Sequence, residues 1–256
     1  MKRLSLKHTS LAFYSLVLLL LGCSKPAADS ARFDADGTAH ITRTIPMPST
    51  ISSEAQTWLQ SLTLRPSHEQ SLAERRATLD KWREQDSAEA RKLFPANVEE
   101  NIIGGVRCDI ITPTALPDEN RSRVLINLHG GGFNADSGSL IEGIPIASLA
   151  KTKVVSVYYR LAPENPFPAA VDDVVAVYKE LLKEYKPASI GIYGTSAGAI
   201  LTGQVAAKLK QSGVPLPAAL GIFSGFADFS RPADSQSLYT LEGLPGALDD
   251  LSLIHI

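Results

Sequence analysis

Gly194-Thr195-Ser196-Ala197-Gly198 frames one serine between two glycines, and His129-Gly130-Gly131-Gly132-Phe133 stands upstream of it. A serine hydroxyl is a weak nucleophile at neutral pH and must be held in the open beside a base. A Gly-x-Ser-x-Gly turn that joins a strand to a helix does this, because glycine relieves the crowding on both sides of the serine. Ser189 to Tyr193 reads as a strand and Ala199 to Gln211 as a helix, so Ser196 has the required context. That helix aims its positive end at charge developing beside Ser196. The three glycines follow the strand-like Val124-Leu125-Ile126-Asn127-Leu128 and leave backbone N–H groups free to reach a carbonyl oxygen. They fit neither the dinucleotide fingerprint nor the Walker pattern with its lysine. His129 precedes the serine, whereas the base in this order of motifs follows it, so His129 reads as structural. The chemistry implied is acyl transfer through Ser196, with a backbone-lined oxyanion site.

Positioning such a pair of loops takes a sheet with helices on it. At 256 residues, 44% hydrophobic, the chain can build one sizeable core. The net charge of −2 gives no basic surplus for a phosphate backbone, which argues against nucleic acid as a partner. Ile102 to Thr112, Arg123 to Leu128, Lys153 to Tyr159 and Ala218 to Phe223 are strand-like. Val171, Val174, Val175, Tyr178, Leu181 and Leu182 recur at helical spacing after Pro168. Alternating strands and helices predict an α/β fold with a mostly parallel sheet covered by helices. Ser53-Glu54-Ala55-Gln56 and Ser67-His68-Glu69-Gln70 read as capping boxes opening two earlier helices, the second running from Ser71 to about Leu93. Both are candidates for an N-terminal helical cap over the site. Cys108 lies in an alternating strand pattern and reads as a small buried hydrophobe.

The N-terminus is a targeting segment. Lys2, Arg3 and Lys7 precede the apolar run Leu11 to Leu21, which is short for a membrane span and right for a signal sequence. Leu20-Leu21-Gly22-Cys23 resembles a bacterial lipoprotein box, with Cys23 as the lipidated residue. Acylation there gives a multiple-chain anchor. With Cys23 lipidated, Cys108 has no partner for an intramolecular disulfide. The expected organisation is a signal peptide over 1–22, a flexible tether over 23–45 and a hydrolase domain over 46–256, with cap helices in 46–97. The expected place is the bacterial cell envelope, and the outer membrane in a Gram-negative cell, because Ser24 rather than aspartate follows the cysteine.

The glycine loop, the serine turn and Tyr159-Arg160-Leu161-Ala162-Pro163-Glu164-Asn165-Pro166-Phe167-Pro168-Ala169-Ala170-Val171-Asp172-Asp173 between them resemble the hormone-sensitive-lipase-like family of α/β-hydrolases. The resemblance runs from about Ser53 to Leu244. It implies an α/β-hydrolase fold and a carboxylesterase acting on short or medium acyl esters, with no metal or cofactor. By this resemblance the nucleophile is Ser196 and the oxyanion donors are Gly131, Gly132 and Ala197. Asn165 stands where many members carry histidine. The family's acid and histidine follow later strands. After Ser196 the chain offers only Asp228, Asp234, Glu242, Asp249 and Asp250 as acids, and only His255 as histidine. A βαβ unit takes about 30 residues, so about 60 residues leave no room for two more such units. The expectation is a chain that lacks its C-terminal strands and its triad acid and histidine and is by itself inactive or at best feebly esterolytic, its tail Leu251 to Ile256 resembling translated adapter sequence. The competing reading is a non-catalytic ligand-binding protein on the same fold, a role for which an intact serine turn and oxyanion loop have no use.

Overall fold

The computed structural model describes residues 30–42, 47–63 and 71–225. Cys23, the Ser67 helix start, the acids Asp228 to Asp250, His255 and the tail lie outside them. Contacts divide the chain into two compact units, Met1–His68 and Glu69–Ile256.

In the first unit, within the stretch read as a tether, β1 (Ser30–Phe33) and β2 (Ala39–Thr42) pair as an antiparallel hairpin. The turn closes where the Gly37 N–H donates to the Asp34 carbonyl, with Gly37 at φ 90°. Helix α1 (Ser53–Thr63) follows. Its cap is one residue earlier than the sequence pattern placed it: the Ser52 hydroxyl accepts from the Ala55 N–H at 3.2 Å.

The second unit opens with α2 (Leu72–Leu93). Its N-cap is Ser71, in a full capping box with Glu74, so the cap lies four residues beyond the expected Ser67. The stretch read as one strand from Ile102 to Thr112 is instead two. β3 (Ala96–Ile103) and β4 (Val106–Pro113) form a hairpin around Gly104-Gly105. Both glycines have positive φ, 59° and 83°, the condition for a two-residue turn whose twist matches the strands.

The remaining elements alternate as expected: β5 (Val124–Leu128), α3 (Ser139–Ala150), β6 (Lys153–Val157), α4 (Ala169–Leu181), β7 (Ile190–Thr195), α5 (Ala197–Gln211) and β8 (Ala219–Phe223). They build a six-stranded sheet in the order β3-β4-β6-β5-β7-β8. β3, β4 and β6 meet antiparallel, whereas β6, β5, β7 and β8 run parallel. One face carries α4 and α5, whose Val174, Tyr178, Leu201 and Val205 pack on Ile126, Leu128, Val155 and Ile192. The other face carries α3 and the end of α2, with Ile144, Ala147 and Ala90 against Ile111 and Val154. This is the α/β-hydrolase arrangement: a mostly parallel sheet covered on both faces, which buries all but one residue in each of β5, β6 and β7. Cys108 is buried in the first of these clusters, and desolvation pushes its thiol up to about 12, which fits a small hydrophobe. Among the described helices, none is long and apolar enough to cross a membrane.

Candidate active site

Ser196 sits where β7 gives way to α5, at the carboxyl end of the parallel strands, and its side chain is exposed. Its backbone has φ 55° and ψ −119°, a conformation that costs a non-glycine residue about 1–3 kcal/mol. The surroundings force it. The Ser196 N–H donates to the Phe223 carbonyl of β8 at 2.9 Å, and the Ser196 carbonyl accepts from Ala199 and Ile200 in the first turn of α5. Close approach explains the flanking glycines. A Cβ on Gly198 would run into the carbonyl oxygen of Leu128, and one on Gly194 would run into the Gly198 backbone. The end of β5 and the start of α5 thus press on each other across the turn, and only glycine admits that distance.

The second loop lies against the first. A Cβ on Gly130 would stand 3.3 Å from the Ser196 Cβ and 3.0 Å from the Thr195 carbonyl. The chain then passes through Gly131, Gly132 and Phe133 at φ 117°, 65° and 61°. Gly131 leaves no room for a side chain, since its Cβ position falls on the Ala135 carbonyl. The carbonyls of this loop turn inward: Gly131 accepts from Asn134 and Ala135, and Gly130 accepts from Ser137. No acceptor among the described residues takes the Gly131 and Gly132 N–H groups. The Ala197 N–H is one of the orphan donors that open any helix. The structure therefore sets Gly130 against the turn that carries Ser196 and Ala197, with Gly131 and Gly132 next along the same loop.

His129 is buried beneath this loop, as a structural residue should be. Its Nδ1–H donates to the Gly130 carbonyl at 2.8 Å, and its ring stacks on Tyr159 at 4.2 Å between centroids. The Tyr159 hydroxyl donates to the His129 carbonyl at 2.6 Å. Burial lowers the His129 pKa, against the opposing pull of Asp136, so the imidazole is held neutral. Asp136 is buried too, yet its pKa is lowered despite burial: any charge on nearby His129 acts in that direction, and with the imidazole neutral the Gly138 N–H, Ser139 N–H and Ser139 hydroxyl, which all donate to the carboxylate, hold it down.

Sequence reasoning missed the residues that grip the loop from outside. Arg76 of α2 donates through Nε to the Asn134 carbonyl at 2.6 Å and through Nη2 to the Ala162 carbonyl at 2.8 Å. It also pairs with Glu164 through both terminal nitrogens, each at 2.8 Å. Arg83 reaches the Asp136 carboxylate at 2.9 Å, and Arg75 the Asn134 side chain at 3.0 Å. The segment from Tyr159 to Asp173 is tied in separately: the Asp173 carboxylate accepts from the Arg160 N–H at 2.8 Å and from its guanidinium. In the sequence, α2 shows only a charged helix.

The fold and these two loops define a class, the α/β-hydrolases, and a model of the alpha/beta hydrolase fold family matches residues 125–245. Within that class the chain is similar to esterases of the hormone-sensitive lipase family. It is 38% identical over 117 residues to an acetyl-hydrolase of Streptomyces hygroscopicus, covering 44% of this chain and 39% of that protein. It is 32% identical over 151 residues to an esterase of Acinetobacter venetianus, covering 56% of this chain and 48% of that protein. The crystal structure of an esterase E25 superposes with a TM-score of 0.61 at 33% identity, covering 77% of this chain and 64% of that one. An esterase from the bacterial hormone-sensitive lipase family gives 0.57 at 28% identity, with 74% and 63% covered. The chain thus spans less than half the length of the two curated relatives and about two thirds of these solved structures.

Proposed function

We propose that the protein is a serine carboxylesterase acting on short- or medium-chain acyl esters. The observation that carries this reading is the juxtaposition of an exposed, strained Ser196 with the glycine loop whose backbone N–H groups have no acceptor among the described residues. In this mechanism the Ser196 hydroxyl attacks the acyl carbon while a base takes its proton. The Gly131, Gly132 and Ala197 N–H groups hold the oxyanion of the tetrahedral intermediate, each contributing on the order of 3 kcal/mol. The intermediate collapses to an acyl-serine as the alcohol leaves with the proton, and water then releases the acid. The described histidines, His40 and His129, both precede Ser196, whereas the base in this order of motifs follows it, and His129 is moreover buried beneath its own loop.

Turnover of p-nitrophenyl butyrate by the whole protein, with fluorophosphonate labelling at Ser196, tests the reading. Ser196→Ala should lower kcat by roughly 10⁴-fold or more, since triad members act as a unit. Undiminished turnover in that variant refutes the mechanism. The second part of the proposal is attachment to a membrane of the cell envelope through lipidated Cys23, supported by the Leu20-Leu21-Gly22-Cys23 box. Cys23→Ala should accumulate as unprocessed precursor or move to the soluble fraction, and unchanged processing and membrane partition would count against lipidation.

A further inference from the structure

Three residues in succession, Gly131, Gly132 and Phe133, hold positive φ, and the last of them carries a side chain. Backbone of this kind persists only where its surroundings over-determine it. Two carbonyls fix it at the Phe133 end. The Phe133 carbonyl accepts from the Ala162 N–H at 2.9 Å, and the Asn134 carbonyl accepts from Arg76 Nε at 2.6 Å. The same guanidinium donates to the Ala162 carbonyl, so one planar group ties the glycine loop to the segment packed beside it. Two helical turns along α2, on the same face, Arg83 holds Asp136, whose oxygens also receive Gly138 and Ser139.

We propose that Arg76 is a positioning residue for the oxyanion site: from α2 it locks Asn134 and Ala162 together and so sets where the Gly131 and Gly132 N–H groups point. The proposal rests on the esterase reading above. The ion pair with Glu164 has a different part. Glu164 is half exposed, and a pair of that kind contributes little by itself. It orients the guanidinium fork, and Arg76 holds its carboxyl down at about 2. The two carbonyl bonds do the positioning. Arg76 touches no substrate in this account and acts only through the loop.

The test uses the whole protein with p-nitrophenyl butyrate, with rates expressed per Ser196 site titrated by fluorophosphonate. Misplaced oxyanion donors cost transition-state binding alone, so Arg76→Met should lower kcat about tenfold to a hundredfold and leave KM within about twofold. Glu164→Gln should lower kcat less than about threefold, in line with an exposed pair. Millimolar methylguanidinium should restore part of the Arg76→Met loss. Amide exchange at residues 131–135 should rise in Arg76→Met. An unchanged kcat per titrated site, a loss confined to KM, or an equal loss in Glu164→Gln overturns the proposal. Should Arg76→Met not fold, Arg76→Lys decides the matter, because an ammonium keeps the charge and cannot reach both carbonyls as a fork. A kcat loss of about fivefold or more at constant KM supports the proposal, and wild-type kcat overturns it. A whole wild-type protein, its triad acid and histidine included, that neither hydrolyses the ester nor reacts at Ser196 refutes the esterase reading instead. In that event amide exchange alone judges Arg76: faster exchange at 131–135 in Arg76→Met sustains its hold on the loop, and unchanged exchange ends it.

Discussion

The turn at Gly194–Gly198 and the loop at His129–Ser139 lie against each other, yet they are held in different ways. Steric exclusion holds the turn. Gly198 backs onto the Leu128 carbonyl, and Gly194 onto Gly198, with backbone against backbone on each side. A polar network holds the loop: His129 with Gly130, Tyr159 with His129, Arg76 with Asn134, and Arg83 with Asp136. Backbone contact offers no adjustment, whereas hydrogen bonds to long side chains can lengthen or exchange. The turn should therefore fail abruptly when its packing is violated, and the loop should degrade by degrees.

The largest effect follows from packing. In Gly198→Ala the added methyl meets the Leu128 and His129 carbonyls, the first at the buried carboxyl end of β5 and the second one residue beyond it. Overpacking of this kind costs about 3 kcal/mol or more, since no flexible side chain stands in the way to move aside. Urea denaturation should show a lowered midpoint, and fluorophosphonate labelling of Ser196 should fall with it. A variant of wild-type stability and labelling would mean that the turn yields as readily as the loop, and the contrast would disappear.

The same contrast explains what could be read in advance. Steric exclusion demands glycine at the crowded positions themselves, even where the crowding atom is as distant in sequence as the Leu128 carbonyl, so it leaves a compact trace: two glycines four positions apart around a serine, in a strand-to-helix context. The alternation of strands and helices was legible for a similar reason, because Val, Ile and Leu recur with the period of the element that buries them. The hairpin at Gly104-Gly105 left a trace as well, two adjacent glycines between alternating strands, but the apolar pattern runs on through them and hides the break. The grip on the loop left none. Arg76 lies 58 residues from Asn134 and 88 from Glu164, and Arg83 lies 53 from Asp136. On a helix as charged as α2, nothing local separates these arginines from solvated ones. The cap at Ser71 shows the reverse case, in which a similar motif four residues earlier competes for the same helix and only the observed hydrogen bonds decide.

The smallest effect is one that pH should draw from the loop and not from the turn. Gly194 to Gly198 contains no titrating side chain. The loop contains His129 and Asp136, with Arg83 facing them from α2. Burial holds the His129 pKa below its ordinary 6.5, so below that pH the unfolded chain takes a proton that the native imidazole refuses. Stability is then lost as pH falls from 6.5 toward the native value, at no more than about 1.4 kcal/mol per pH unit. Asp136, held below its ordinary 3.8, adds a loss of the same sign only when pH falls below 3.8. Between the two values His129 acts without Asp136. His129→Phe keeps an aromatic ring against Tyr159 and removes the proton. Its urea midpoint should be lower than wild type at pH 7.5, because the bond to Gly130 is gone, and should fall less steeply between pH 6.5 and 4.5. Gly198→Ala should instead shift the midpoint by a similar amount at every pH in that range. A wild-type slope in His129→Phe would show that the imidazole is not the group that makes the loop sensitive to acid.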